Sequence, residues 1–220
     1  MLKKVSQPNN IETRDTLFGD LPLDHWAKAD SNEIPWTLFK EVKKNVDKKN
    51  KAAAIKILKD ILNIAGLETR QYLQAFYFLN QLQALPEGTV KILGAVVEVT
   101  MEDGVDLLAV YADHTARYYN YTGSAVIWDL PDTSIAGKID HILSLAKDIV
   151  AQIGPWQGER PGIPKPGNAR INFLTSHGLH FGEAGQNVLF NDPMAGKIMY
   201  AMLDMMETLT QRVMQSKKAS

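Results

Sequence analysis

The chain has no cysteine, which removes a disulfide framework, a thiolate nucleophile and every metal site that needs sulfur. The absence of thiols fits a reducing compartment, and the expected address is the cytoplasm. No stretch approaches the roughly 18 to 20 consecutive apolar residues of a membrane span, so no membrane partner is expected. Neither sign of charge is in excess: 24 Lys and Arg against 25 Asp and Glu leave a net charge of −1. That balance gives a nucleic acid no whole-molecule field to follow, and none is expected as a partner. The opening "MLKKVSQPNNIETRD" is basic but has no apolar region behind it, so it does not read as a secretory signal. Also missing are the glycine-rich phosphate loop, the dinucleotide G-x-G-x-x-G, the zinc-binding H-E-x-x-H and the G-x-S-x-G elbow. These absences remove the easy routes to an enzyme.

What is present suits a compact chain of 220 residues that buries roughly 70% of its unfolded surface. Residues 1–35 lack periodicity, yet "LFGDLPLDHW" carries Leu17, Phe18, Leu21, Leu23 and Trp26. So many large apolar groups read as an irregular strap docked on the body, or as a segment offered to a partner. Apolar residues at offsets of three and four then predict three antiparallel helices within residues 36–85. From residue 90 the composition turns to Val, Ile and Leu. Breaks at "MEDG", "DHT" and "YTG" divide it into four strands, about 90–100, 105–112, 116–121 and 124–129. A helix follows, with Asp132 as its N-cap and Ile135, Ile139, Ile142, Leu143 and Ala146 on one stripe. "PWQGERPGIPKPG" is a crossover loop by composition, and "RINFLTSHGLHFGE" reads as a second strand pair. A last helix displays Met194, Ile198, Met199, Met202, Met205, Met206 and Leu209. Methionines at this density fill a core or form an adaptable surface, here an interface for a homo-oligomer.

The expected fold is therefore α+β: N-terminal antiparallel helices, then about six antiparallel strands with packed helices, in the order β-β-β-β-α-β-β-α. Residues 90–216 form the sheet domain, one compact unit with the helices. At the level of element order it is similar to profilin-like and roadblock-like sandwiches.

Two stretches hold the polar candidates. In "YADHTARYYNYTG", Asp113 and His114 fall in a turn, and as neighbours they would point apart on a strand, which argues against a catalytic dyad. Arg117 and Tyr119 share one strand face. A two-residue loop at "TG" would place Tyr119 opposite Val126 and Arg117 opposite Trp128, where the guanidinium could stack on the indole. In "TSHGLHFGE", the odd offset of His177 and His180 separates the imidazoles on a strand, so neither a metal nor any other cofactor is expected.

The blocks "LFGDLPLDHW", "YADHTARYYNYTGSAVIWD", "IGPWQGERPG" and "RINFLTSHGLHFGE" together resemble a family of bacterial hypothetical proteins over about residues 13 to 205. That resemblance implies a bacterial, cytoplasmic origin and carries over no catalytic residue. The residues favour a non-catalytic binding or interaction module for a protein or small-molecule partner. It would present either the meander's Arg117 and Tyr119 or the "LFGDLPLDHW" segment. The alternative is a small-molecule enzyme, a hydrolase, in which Arg117 anchors an anion, His180 acts as acid or base and Glu183 orients it.

Overall fold

A computed structural model describes residues 2–4, 11–26, 28–102, 104–129 and 133–218. The expected N-cap Asp132 lies outside them. A short helix α1 (Ile11–Asp15) is followed by α2 (Trp36–Asp47), α3 (Lys51–Leu62) and α4 (Thr69–Gln81). The strands are β1 (Leu2–Lys4), β2 (Ile92–Met101), β3 (Gly104–Tyr111), β4 (Ala116–Tyr119), β5 (Ser124–Trp128), β6 (Asn168–Thr175) and β7 (Gly178–Gly185). All pair antiparallel in one sheet of order β1-β5-β4-β3-β2-β6-β7. Between β5 and β6 runs α5 (Thr133–Val150), and α6 (Gln186–Asn191) and α7 (Ala195–Lys218) follow β7. The fold is α+β, as the change of periodicity near residue 90 predicts. Three elements depart from the expectation: α1, β1 and α6. Residues 2–4, read as irregular, add an edge strand to β5. Six-residue α6 is too short to declare a helical period.

Alternation along the strands divides the sheet into two faces. On one, Val97, Val110, Val126, Ile171 and Phe173 meet Ile139, Ile142 and Ala146 of α5 and Ile198, Met202, Met205 and Leu209 of α7. The methionine stripe thus fills the chain's own core. Among the described residues, the large apolar groups that α7 leaves exposed are Tyr200 and Leu203. On the other face, Val96, Leu107, Tyr111, Tyr119 and Leu174 lie in one cluster with Leu17 and Phe18 of the N-terminal strap and Leu73 of α4. A further core joins Ala75 and Leu79 of α4 to Phe39 of α2 and to Leu58 and Ile61 of α3. Because α4 lies between two apolar layers, it buries Leu73, Gln74 and Ala75 in succession, where a single amphipathic stripe predicts one buried side.

The meander register differs by one residue from the two-residue-loop expectation. Tyr119 pairs with Ala125 and Arg117 with Ile127, while Trp128 faces Ala116. The cause is a three-residue loop, Tyr121 to Gly123. Its side-chain anchor is Asn120, whose Oδ1 accepts from the Thr122 and Ser124 N–H groups at 3.1 and 2.8 Å. Gly123 takes the left-handed φ of +85° that closes such a loop. The guanidinium over Trp128 belongs to Arg212 of α7, 5.2 Å from the ring centroid.

The strap's docking is set by Gly19, at φ +68°, where a Cβ would lie 2.6 Å from Leu73 Cβ and 2.9 Å from the Arg70 carbonyl oxygen. Both the backbone conformation and the space exclude a side chain. Gly19→Ala is expected to lower stability by about 2–4 kcal/mol, from left-handed strain plus overpacking. Urea denaturation should show this as a lower midpoint at unchanged slope.

Candidate ligand-binding cleft

The residues singled out from sequence do not form one site. Arg117 and Tyr119 do share a face, but it is the one under the strap, and both side chains are largely buried. Arg117 donates to Asp129 Oδ1 at 2.8 Å, and its Nε has no partner among the described residues. His180 pairs across β6 with Phe173, which belongs to the opposite core. Its buried imidazole is held below the ordinary histidine range, chiefly by desolvation. Glu183 returns to the strap side, but four strand spacings, about 19 Å, separate β7 from β4. The hydrolase pocket of Arg117, His180 and Glu183 is therefore not assembled. A one-residue alternation and the width of the sheet keep the three apart.

The "YADHT" turn is structural. Asp113 Oδ2 accepts the Thr69 N–H at 2.7 Å while the Asp113 N–H donates to Thr69 Oγ1 at 3.1 Å, a reciprocal tie that satisfies an orphan donor at the start of α4. His114 Nε2 lies 2.9 Å from Asp140 Oδ1 of α5. Tyr111, fully buried, donates to the Leu17 carbonyl at 2.8 Å. Ser176 Oγ sits 2.9 Å from His177 Nδ1, but this serine is buried and takes the Lys91 N–H at 3.0 Å, so the pair closes the β6–β7 hairpin.

Sequence reasoning missed a buried charge cluster on the strap side of β2 and β6. Glu98 has no exposed surface. Arg14 of α1 grips it through Nε and through Nη2, the latter at 3.1 Å, and Asn172 donates to it at 2.9 Å. Arg170 lies 3.4 Å from the same carboxylate and donates to Glu183 through Nε at 3.0 Å. The two arginines also bond the crossover loop: Arg14 donates to the Pro161 carbonyl at 2.9 Å and Arg170 to that of Gly162 at 2.6 Å. A signal existed, since "GAVVEVT" and "ARINF" each set one charged residue in an apolar run, a pattern rarely tolerated without a partner.

Beside this cluster opens a cleft of about 590 Å³. Its walls are the strap at Phe18 and Asp20, α4 from Leu73 to Gln81, the crossover from Trp156 to Arg160, and the β6–β7 hairpin. Arg160 donates to Asp20 at 2.7 Å and to Asp15 at 2.8 Å, with its guanidinium 4.1 Å from the Phe18 ring centroid. Trp156 is held by its N–H to the Leu179 carbonyl at 2.6 Å, by Nε1 to the Glu159 carbonyl at 2.9 Å, and by ring contact with Phe181 at 5.0 Å. The Tyr77 hydroxyl is raised above its ordinary pKa, first by burial and then by Asp20, so it stays a neutral donor. Among the described residues no three His, Asp or Glu side chains gather to hold a metal.

The fold is thus α+β, with a mixed aromatic and polar cleft between its strap and its sheet. No protein-family model, curated protein or solved structure matches the chain.

Two outcomes follow for the charge cluster. Glu98→Gln takes the close buried counter-charge from Arg14, while Arg170 keeps Glu183, and is expected to cost about 3–5 kcal/mol in denaturant unfolding. For Glu183, burial pushes the carboxyl up, but hydrogen bonds from Asn168 and Arg170 outweigh it and hold it below the ordinary range. A carboxyl depressed in the folded state contributes stability above its unfolded pKa and loses it as pH falls through the folded one. The thermal midpoint should therefore drop as pH is lowered from about 5. Glu183→Gln should start lower at neutral pH and lose less on acidification.

Proposed function

We propose that the protein is a non-catalytic binding module whose ligand seats in the cleft between the strap, α4, the crossover loop and the β6–β7 hairpin. The observation that carries this reading is the lining itself. A volume of about 590 Å³ lies within the range of small-molecule sites, roughly 300–1,000 Å³. Phe76, Tyr77 and Trp156 supply aromatic surface beside the amides of Asn80 and Gln81. The one cation in the lining, Arg160, is already committed to Asp15 and Asp20, so it serves as wall rather than reagent. Both surfaces favoured from sequence are turned inward. Leu17 and Phe18 of the strap are buried, as is Tyr119. Binding thus moves from those surfaces to the cleft that the strap helps to enclose. The bacterial, cytoplasmic setting belongs to the same proposal and is supported by the resemblance of the sequence blocks.

The test is a fragment titration followed by amide NMR. Shift changes should centre on Tyr77, Asn80 and Trp156 and disappear in Tyr77→Leu, with the thermal midpoint of that variant confirming the fold. Perturbations centred on α7, or none at millimolar fragment, would refute the cleft as the binding site.

A further inference from the structure

Resting on the reading of the cleft as a binding site, we propose that its ligand is an aliphatic cation, an ammonium or guanidinium carried on an apolar stem. Three independent features favour positive charge there. The first is the charge of the lining. Asp20 and Glu159 outnumber Arg160, and Arg160 is further neutralised by Asp15 behind it, which leaves the exposed Glu159 carboxylate at the rim.

The second feature is the direction of α4. Phe76, Tyr77, Asn80 and Gln81 of its final turns line the cleft. The C-terminal end of a helix carries the equivalent of roughly half a negative charge on its last carbonyls, so it attracts cations and repels anions. The opposite end of the same helix already binds an anion, the Asp113 carboxylate at the Thr69 N–H. The two poles of α4 are thus matched to opposite charges.

The third feature is aromatic. Arg160 stacks at 4.1 Å from the Phe18 centroid, which shows a cation–ring contact formed within the lining itself. Tyr77 and Trp156 offer further rings for a second cation, and the bonds from Trp156 to Leu179 and Glu159 hold its indole in place. Leu73, Leu174 and Leu179 give an apolar floor for the stem.

Agmatine, with a charge at each end of a four-carbon stem, is the probe, with succinate and 1,4-butanediol as anionic and neutral controls. Calorimetry on the full chain at low salt should show agmatine bound at least about tenfold more tightly than succinate, weakening as salt rises. Trp156→Leu should weaken agmatine about tenfold and Glu159→Gln about threefold, as expected for one cation–π contact and one exposed ion pair. Trp156 is 48% exposed, so its replacement leaves the core intact, which an unchanged thermal midpoint verifies. Succinate or butanediol binding as tightly as agmatine would overturn the cation while leaving the cleft a binding site. Failure of all three at millimolar concentration, with the NMR fragments also silent, would remove both. A Gly-Arg-Gly peptide that binds tighter than agmatine assigns the cation to a protein partner's side chain. The reverse order assigns it to a free amine, and either order upholds the charge preference.

Discussion

A carboxylate with no exposed surface, Glu98 in the interior strand β2, is the constraint on which this arrangement hangs. Taking a charge out of water costs several kcal/mol unless partners replace the lost hydration. Here the partners come from two places in the chain: Arg14 in α1, and Arg170 and Asn172 in β6. None of the three guanidinium or carboxylate groups can be buried acceptably until the others arrive. Replacing the whole cluster with apolar residues of the same volume could give equal stability, as buried ion pairs elsewhere show. What the cluster supplies is uniqueness of docking. The strap has one position in which Arg14 meets Glu98, whereas Leu17 and Phe18 alone would slide over an apolar sheet.

The same arginines extend that constraint to the cleft. The crossover loop is rich in proline and glycine and has little apolar surface of its own to anchor it. Its carbonyls at Pro161 and Gly162 are bonded by Arg14 and Arg170, immediately after Arg160 and five residues on from Trp156. Arg160 then reaches back to Asp15 and Asp20 of the strap. Strap, sheet and crossover are thereby tied in a ring, and the aromatic and acidic groups of the cleft stand on that ring. A site whose walls are held before the ligand arrives avoids the ordering cost that a free loop would add to binding.

Much of the framework was legible in the residues. Stripes of Ile and Leu located α3 and α5, and the turn residues located the meander. The methionines at helical spacing lie where a core-filling helix would put them. The failures have particular causes. A loop one residue longer at Asn120 moved Arg117 away from Trp128, because register depends on loop length and strand composition is the same either way. The second apolar face of α4 was hidden by Gln74, a polar residue buried by tertiary layering that no helical period reveals. The tyrosine and arginine wall of β4 was visible as a pattern, but alternation says which residues share a face and not which face is covered. For the cleft, Tyr77, Trp156 and Arg160 come from segments about 80 residues apart, and only the fold brings them together.

Because Arg14 precedes its partner by 84 positions and Glu98 in turn precedes Arg170 by 72, the chain cannot complete this cluster in the order in which it is synthesised. Ribosomes make the strap first, and the strand that finishes its dock last but one. Until β6 is made, the sheet face under Leu17 and Phe18 lacks Leu174 and the arginine that completes the dock. The helices α2 to α4 can pack on one another as they emerge, since their shared core uses nearby residues. The strap can only wait, so the nascent chain carries an incompletely docked apolar hook until β6 has cleared the exit tunnel. That is the kind of exposed segment that holding chaperones recognise on unfinished chains.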